Sequence, residues 1–248
     1  EAFSGRAIKG QLAIQISGVS KPAVRKAAAF PDQRAETEAI MEAKIETLIK
    51  NWQKRNILGF YCADKAIAAD KVLNIIPQQA SVGISGSLTL DQLGIVKLLE
   101  ARGNKVFNQY KPGISRQENL ELRIKGAAAD YYLASANAVS ESGELVFFSA
   151  YGNRTGGISS ARNVVVACGI NKVCPDIGEA IKKARGYAAP LNCKRLNWNT
   201  PCFKDGICRE SICLDPDYKR MCCQLLIIEA EVDPERLKVV LAGEPLGF

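Results

Sequence analysis

Five of the nine cysteines stand close together, Cys202, Cys208, Cys213, Cys222 and Cys223, in a chain that has no histidine. Clustered thiolates are soft ligands that suit an iron–sulfur cluster or zinc. The missing histidine removes Ser-His and Cys-His activation and the HExxH metal site together. Any redox or Lewis-acid chemistry therefore points to the thiols. Their spacing is C-x5-C-x4-C-x8-C-C within TPCFKDGICRESICLDPDYKRMCC. This is neither the paired C-x2-C of a zinc ribbon nor the C-x2-C-x2-C run of a bacterial ferredoxin. Pro201, Gly206 and Pro216 interrupt helix, so the segment reads as a loop that a metal organises in place of a core. Irregular, thiolate-only spacing favours an iron–sulfur cluster, with structural zinc and unliganded or disulfide cysteines as the alternatives. Cys62 and Cys168 end apolar runs and read as core packing. Cys174 and Cys193 flank the last helix, where spacing demands no metal role.

A second group of residues suits an anion. Gly86, Ser87 and Thr89 lie in SGSLT, between an apolar strand and a helix, where backbone N–H groups can face a carboxylate or phosphate. The plainer reading of Ser87 is an N-cap. Asn137, Asn153, Arg154, Asn171 and Lys172 lie in the turns SAN, GNR and NK, each near the end of an expected strand. Arg154 and Lys172 can hold a carboxylate, the arginine in bidentate fashion, or can be plain surface charges. In open α/β sheets such residues meet at the carboxyl ends of the strands.

The elements that must position these groups follow from apolar periodicity. Residues 34–55 place Ile40, Ile45, Leu48 and Ile49 at helical spacing. Then come a strand in ILGFYCAD, a helix in AIAADKVLNIIP, a strand in ASVGI and a helix in SGSLTLDQLGIVKLLEARG. Strands are expected in KVFNQY, YYLASAN, ELVFFS and NVVVAC, with helices in SRQENLELRIKGAAA and DIGEAIKKARGYAA, the latter stopped by Pro190. QLLIIEA and RLKVVLA close the chain as strands. The fold class is α/β: an open, mostly parallel sheet flanked by helices, with a C-terminal cysteine-rich loop and closing strands.

With 248 residues and 47% hydrophobic content, the chain can form one sizeable core. A net charge of +7, spread without a basic stripe, and 7% aromatic residues argue against nucleic-acid binding. No apolar run reaches the ~20 residues of a membrane span. Residues 2–31 carry five basic residues and no acid, and read as a basic tail or a transit-peptide-like start. The expected organisation is a tail over 1–33 and an α/β domain over 34–248 that includes a metal loop at 200–223. The odd cysteine count, without a secretory signal, fits a reducing, cytoplasmic setting.

The ordered series SVGISGSLTL, ADYYLASANAVSESGEL, YGNR, GINK, AAPLN and TPC with further cysteines resembles the lactate-utilisation (LUD) domain family, from about Arg34 to Leu246. The resemblance implies a fold of the NagB/RpiA/CoA-transferase-like type. It also implies a cytoplasmic role in oxidising lactate or a similar hydroxy acid, and an iron–sulfur centre. The family tail resembles TPC-x5-C-x2-C-x6-C. Cys202 and Cys208 fit it directly, Cys222 falls at its last cysteine, Cys213 lies further on than its third, and Cys223 is extra. The resemblance thus implies Cys202, Cys208, Cys213 and Cys222 as ligands of a 4Fe-4S cluster, with zinc as the alternative metal. Four ligands would suit electron transfer to a partner protein, since no flavin or nicotinamide motif is visible. Three would leave an iron open as a Lewis acid. Two rival readings are a zinc-stapled, non-catalytic subunit of a larger complex, with homo-oligomers allowed, and an acyl-transfer enzyme using Glu141 or Glu144.

Overall fold

The computed structural model describes residues 33–208, 212–215 and 217–248. The expected tail lies outside the described residues, apart from the start of the first helix. Two units are distinguished, 1–38 and 39–248, and the second carries the fold.

Helix α1 (Gln33–Lys54) leads into strand β1 (Leu58–Cys62), α2 (Lys65–Ile75), β2 (Ser81–Ile84), α3 (Leu88–Gln92), α4 (Ile95–Ala101) and β3 (Lys105–Phe107). Next come α5 (Arg116–Ala127), β4 (Tyr131–Ala134), β5 (Ala138–Ser140), β6 (Leu145–Ser149), α6 (Asn153–Ser160), β7 (Asn163–Gly169) and β8 (Val173–Cys174). The chain continues through α7 (Ile177–Lys183), a π turn at Ala184–Ala188, α8 (Ala189–Arg195), α9 (Pro201–Asp205), β9 (Gln224–Ile228) and β10 (Leu237–Ala242).

Six strands form a parallel sheet in the order β1-β10-β7-β4-β2-β3. Its strands are apolar at nearly every position because both faces are covered. Val165, Ala167, Val240 and Ala242 pack with Ala68, Val72, Leu90, Ile95 and Leu99 of the α2–α4 layer. The alternate residues Val164, Val166, Cys168, Val239 and Leu241 face Leu48 and Trp52 of α1, Ile158 of α6 and the second sheet. That second sheet, in the order β8-β5-β6-β9, mixes one parallel with two antiparallel pairings. Its far side packs Val146 and Phe148 against Ala180 of α7.

The helices and strands expected from periodicity form, with five differences. ELVFFS and QLLIIEA leave the main sheet and pair with each other in the second one, as β6 and β9. The short strand β5 and the helix α6 were not expected, since three residues are too few for a period and NRTGGISS is too polar for an apolar stripe. The helix after SGS is broken at Gly94, which takes a left-handed conformation at φ 62°. Pro190 does not stop the last helix. The π turn resets the register just before it, so Pro190 enters the first turn of α8, where a missing N–H costs little. Finally, Pro201 and Gly206 bound a short helix, α9, inside the expected cysteine loop. No helix among the described residues is long and apolar enough to cross a membrane.

Candidate functional site

Because all six main strands are parallel, their carboxyl ends share one edge, and the polar turns gather there. β2 runs into Ser85-Gly86-Ser87, β3 into Gln109-Tyr110, β4 into Ser135-Ala136-Asn137 and β7 into Asn171-Lys172. Arg154 arrives from the other sheet. Gly152, left-handed at φ 76°, turns the end of β6 into α6 and aims the first turn of that helix back at the edge.

Lys172 is the most buried charge at the edge, at 4% exposure. Its ammonium donates to Thr89 Oγ1 at 2.9 Å, Ser135 Oγ at 2.8 Å and the Ala136 carbonyl at 2.9 Å. Its three donors are thus satisfied without any carboxylate. Burial pulls its pKa down to about 7; Cys168 acts the other way, and Arg154 and Lys183 add to the lowering. Arg154 donates Nη1–H bonds to Asn137 Oδ1 at 3.0 Å and the Phe148 carbonyl at 3.2 Å, and an Nη2–H bond to the Gly86 carbonyl at 2.5 Å. Two of the five guanidinium donors remain without a partner among the described residues. Arg154 keeps some exposed area, yet its charged end lies deep. Burial lowers its pKa, the Tyr110 and Tyr132 phenols offset part of this, and Arg195 adds to the lowering. Among the described residues neither cation forms an ion pair. The edge therefore holds two poorly solvated positive charges that a bound anion would stabilise.

The space in front of them is a cleft of about 930 Å³, lined by Ser85, Gly86, Ser87, Asn137, Asn153 and Arg154, with Tyr110, Tyr151, Trp198 and Cys222. A recess of about 40 Å³ adjoins it at Gly86, Ser87, Asn137 and Arg154, and reaches Thr89, Ser135 and Lys172. Gly86 lets Tyr110 lie close, since a Cβ here would stand 2.6 Å from the ring and push it aside. Asn153 is held by its side-chain N–H to Tyr110 Oη at 3.1 Å and by its carbonyl, which accepts from Tyr132 Oη at 2.9 Å. The Ser85 hydroxyl is buried and has no hydrogen-bond partner.

The structure therefore gathers Gly86, Ser87, Asn137, Asn153 and Arg154 round the cleft, and Thr89 and Lys172 round the recess. Ser87 also caps α3, accepting from Leu90 N. Asn171 is not part of this group. Its side chain accepts from Leu246 N at 2.9 Å and donates to the Gly247 carbonyl, tying down the chain after β10. Tyr110 and Trp198 went unnoticed in the sequence, although Tyr110 follows a strand end as the other site residues do. Glu144 serves structure: it pairs with Arg55 at 2.5 Å and accepts from Ser142 at 2.6 Å, at the opposite end of the β5–β6 hairpin.

None of the nine cysteines forms a disulfide. Cys62 and Cys168 are buried in the main core, as expected for packing. Cys202, on α9, is buried with its sulfur 3.2 Å from Thr200 Oγ1. Cys213 is buried and feels the fields of Cys202, Cys222 and Cys208, which add to burial in raising its pKa. Cys193, on α8, joins them: burial pushes its thiol up to about 12, the Thr200 hydroxyl opposes this, and Cys202 and Cys222 push further. Cys223 is exposed and donates to the Arg220 carbonyl at 2.9 Å. Asn199 Nδ2 donates to the Asp217 carbonyl at 3.0 Å and Lys219 N to the Asn199 carbonyl at 3.0 Å, which closes the base of the segment. Among the described residues, no three thiols or carboxylates are grouped tightly enough to hold a single metal ion.

No curated protein matches the chain by sequence. Among solved structures, a DUF162 family protein from Deinococcus radiodurans aligns with 83% of this chain and 98% of its own, at 10% identity and a TM-score of 0.46. The sequence model of the LUD domain matches residues 45–242. With that match running from within α1 to the end of β10, the chain belongs to the LUD domain family.

Proposed function

We propose that this protein binds a small hydroxy acid or related carboxylate at the sheet edge, beside a 4Fe-4S cluster held by the cysteine segment, and serves as an iron–sulfur oxidoreductase component of the lactate-utilisation type. One observation carries the reading: Arg154, a buried cation with donors to spare, lines the same cleft as Cys222. The two free guanidinium donors orient the carboxylate. Lys172 lies behind it in the adjoining recess, where burial lowers its pKa to about 7 and a bound anion would favour its charged form. Membership of a lactate-utilisation-related family is consistent with such a ligand.

Thiolates are the donors an iron–sulfur cluster takes. Cys202, Cys208, Cys213 and Cys222 form no disulfide, Cys213 feels the fields of the other three, and no histidine competes. When bound, a cluster supplies one-electron transfer, or a Lewis acid if one iron lacks a protein ligand.

Protein purified without oxygen should be brown and contain iron and acid-labile sulfide, and hydroxy acids should perturb its visible spectrum. A colourless protein with one zinc per chain would replace the cluster by a zinc staple. A brown protein indifferent to every carboxylate tried would remove the substrate assignment.

A further inference from the structure

We infer that the carboxylate held by Arg154 belongs to an aryl-substituted 2-hydroxy acid, whose ring rests against Tyr151 and Trp198. The inference rests on the reading of the sheet edge as a carboxylate site and narrows it to one class of substrate. A cleft of about 930 Å³ is far more than a molecule the size of lactate fills. Clefts of ~300–1,000 Å³ enclose drug-sized ligands, with aromatic and apolar walls round a few placed polar groups. Here Arg154 is such a polar group, and Tyr110, Tyr151 and Trp198 supply aromatic wall. Tyr151 precedes Arg154 by three residues, in the turn from β6 into α6. That length of chain spans at most ~11 Å between the two Cα atoms, so one small molecule reaches both side chains.

Tyr151 is 62% exposed and yet held in place. The Arg123 guanidinium lies over its ring, 5.2 Å from the centroid, and donates to its carbonyl at 2.9 Å. Its ring meets that of Trp198 edge to face, with centroids 6.0 Å apart and planes at 78°. The Trp198 indole N–H in turn donates to the Lys219 carbonyl. Two rings set nearly at right angles form a corner. A third ring can stack on one and meet the other edge-on, and both are favoured arrangements of aromatic pairs. Because the corner is already ordered, a ring entering it gains burial at little further cost in side-chain freedom. Tyr110 has a different role. Its hydroxyl accepts from Asn153 and Gln109, and its ring closes on Gly86, so it belongs to the framework of the edge.

The test is calorimetric titration of the full chain, purified without oxygen, with lactate and with phenyllactate. Wild type should bind phenyllactate at least about tenfold more tightly than lactate. Tyr151→Ala and Trp198→Leu should each cut that ratio at least about threefold. The ratio is the informative readout, because a change that merely loosened the fold would weaken both acids alike. Should Trp198→Leu disturb the cysteine segment through the lost bond to Lys219, Tyr151→Ala carries the test, since an exposed side chain can be shortened without opening the core. Equal affinity for the two acids in wild type, or an unchanged ratio in folded Tyr151→Ala, would overturn the inference and leave the carboxylate site intact. Wild type that binds neither acid would instead overturn the carboxylate reading, and this inference with it.

Discussion

Two sets of residues, which reach one cleft through Arg154 and Cys222, are held in opposite ways. At the sheet edge, Arg154 and Lys172 each make three hydrogen bonds to groups at or next to strand ends. In the cysteine segment, Cys213 feels the fields of Cys202, Cys208 and Cys222, and hydrogen bonds at Asn199 close the base. The first set is held in place without a ligand, because strands and helix ends fix it before any anion arrives, and Arg154 keeps two donors for that anion. Thiols gathered in one place become thiolates only when a cation offsets their mutual repulsion. The edge is thus preorganised, whereas the segment would become a site only on binding the metal proposed for it.

This contrast is open to test, beginning with its largest effect. Cys202→Ser should lose essentially all the metal while Cys62→Ser keeps it, and proteolysis should then cut within 200–223 while the sheet stays intact. Equal iron in both variants, or equal protease resistance, would erase the difference between the two sets. Next, Arg154→Ala removes a charge-assisted contact worth ~1.5–3 kcal/mol, so carboxylate affinity should fall about 10- to 100-fold. The visible spectrum of the unliganded protein should not change, because Arg154 touches the framework and not the thiols. Calorimetric titration of wild type and variant gives the ratio.

The third effect concerns stability. Between about pH 7 and the ordinary lysine pKa, the unfolded chain holds a proton on Lys172 that the folded chain has given up. Folding is therefore favoured as pH rises through this window, by up to about 1.4 kcal/mol per pH unit. Lys172→Met should flatten that part of the pH dependence, read as urea midpoints at pH 7, 8 and 9. A variant with the wild-type slope would mean that its neighbours hold the ammonium charged. The smallest expected effect is none: Cys223→Ser, at an exposed thiol bonded to a backbone carbonyl, should keep the wild-type iron content and spectrum.

Most of the edge was legible in advance, for a reason visible in particular residues. The runs SVGI, YYLA and NVVVACG are almost continuously apolar after their first residue, which marks strands buried on both faces and therefore parallel. Parallel strands put their carboxyl ends together, so the small polar residues after each had to meet. Asn171 shows where that logic stops. Its neighbour Lys172 turns into the recess while its own side chain turns to the last residues of the chain, and adjacent residues in a short turn give no sign of which faces inward.

The residues themselves determine the strands and helices, the absence of histidine chemistry, the gathering of thiols and the gathering of polar turns, because these depend on composition, local periodicity and one rule of parallel sheets. Pairing between segments far apart in the chain belongs to the tertiary structure. β10 is inserted between β1 and β7, and β6 and β9 pair away from the main sheet, although all read alike as apolar strands. Arg154 comes to Gly86 only because that second sheet folds back on the first. α8 lies against α9, which carries Cys202, only because a π turn carries the helix past Pro190. Apolar character says that a segment must be buried; which partner buries it depends on the shape of everything else, and that is decided only when the chain packs.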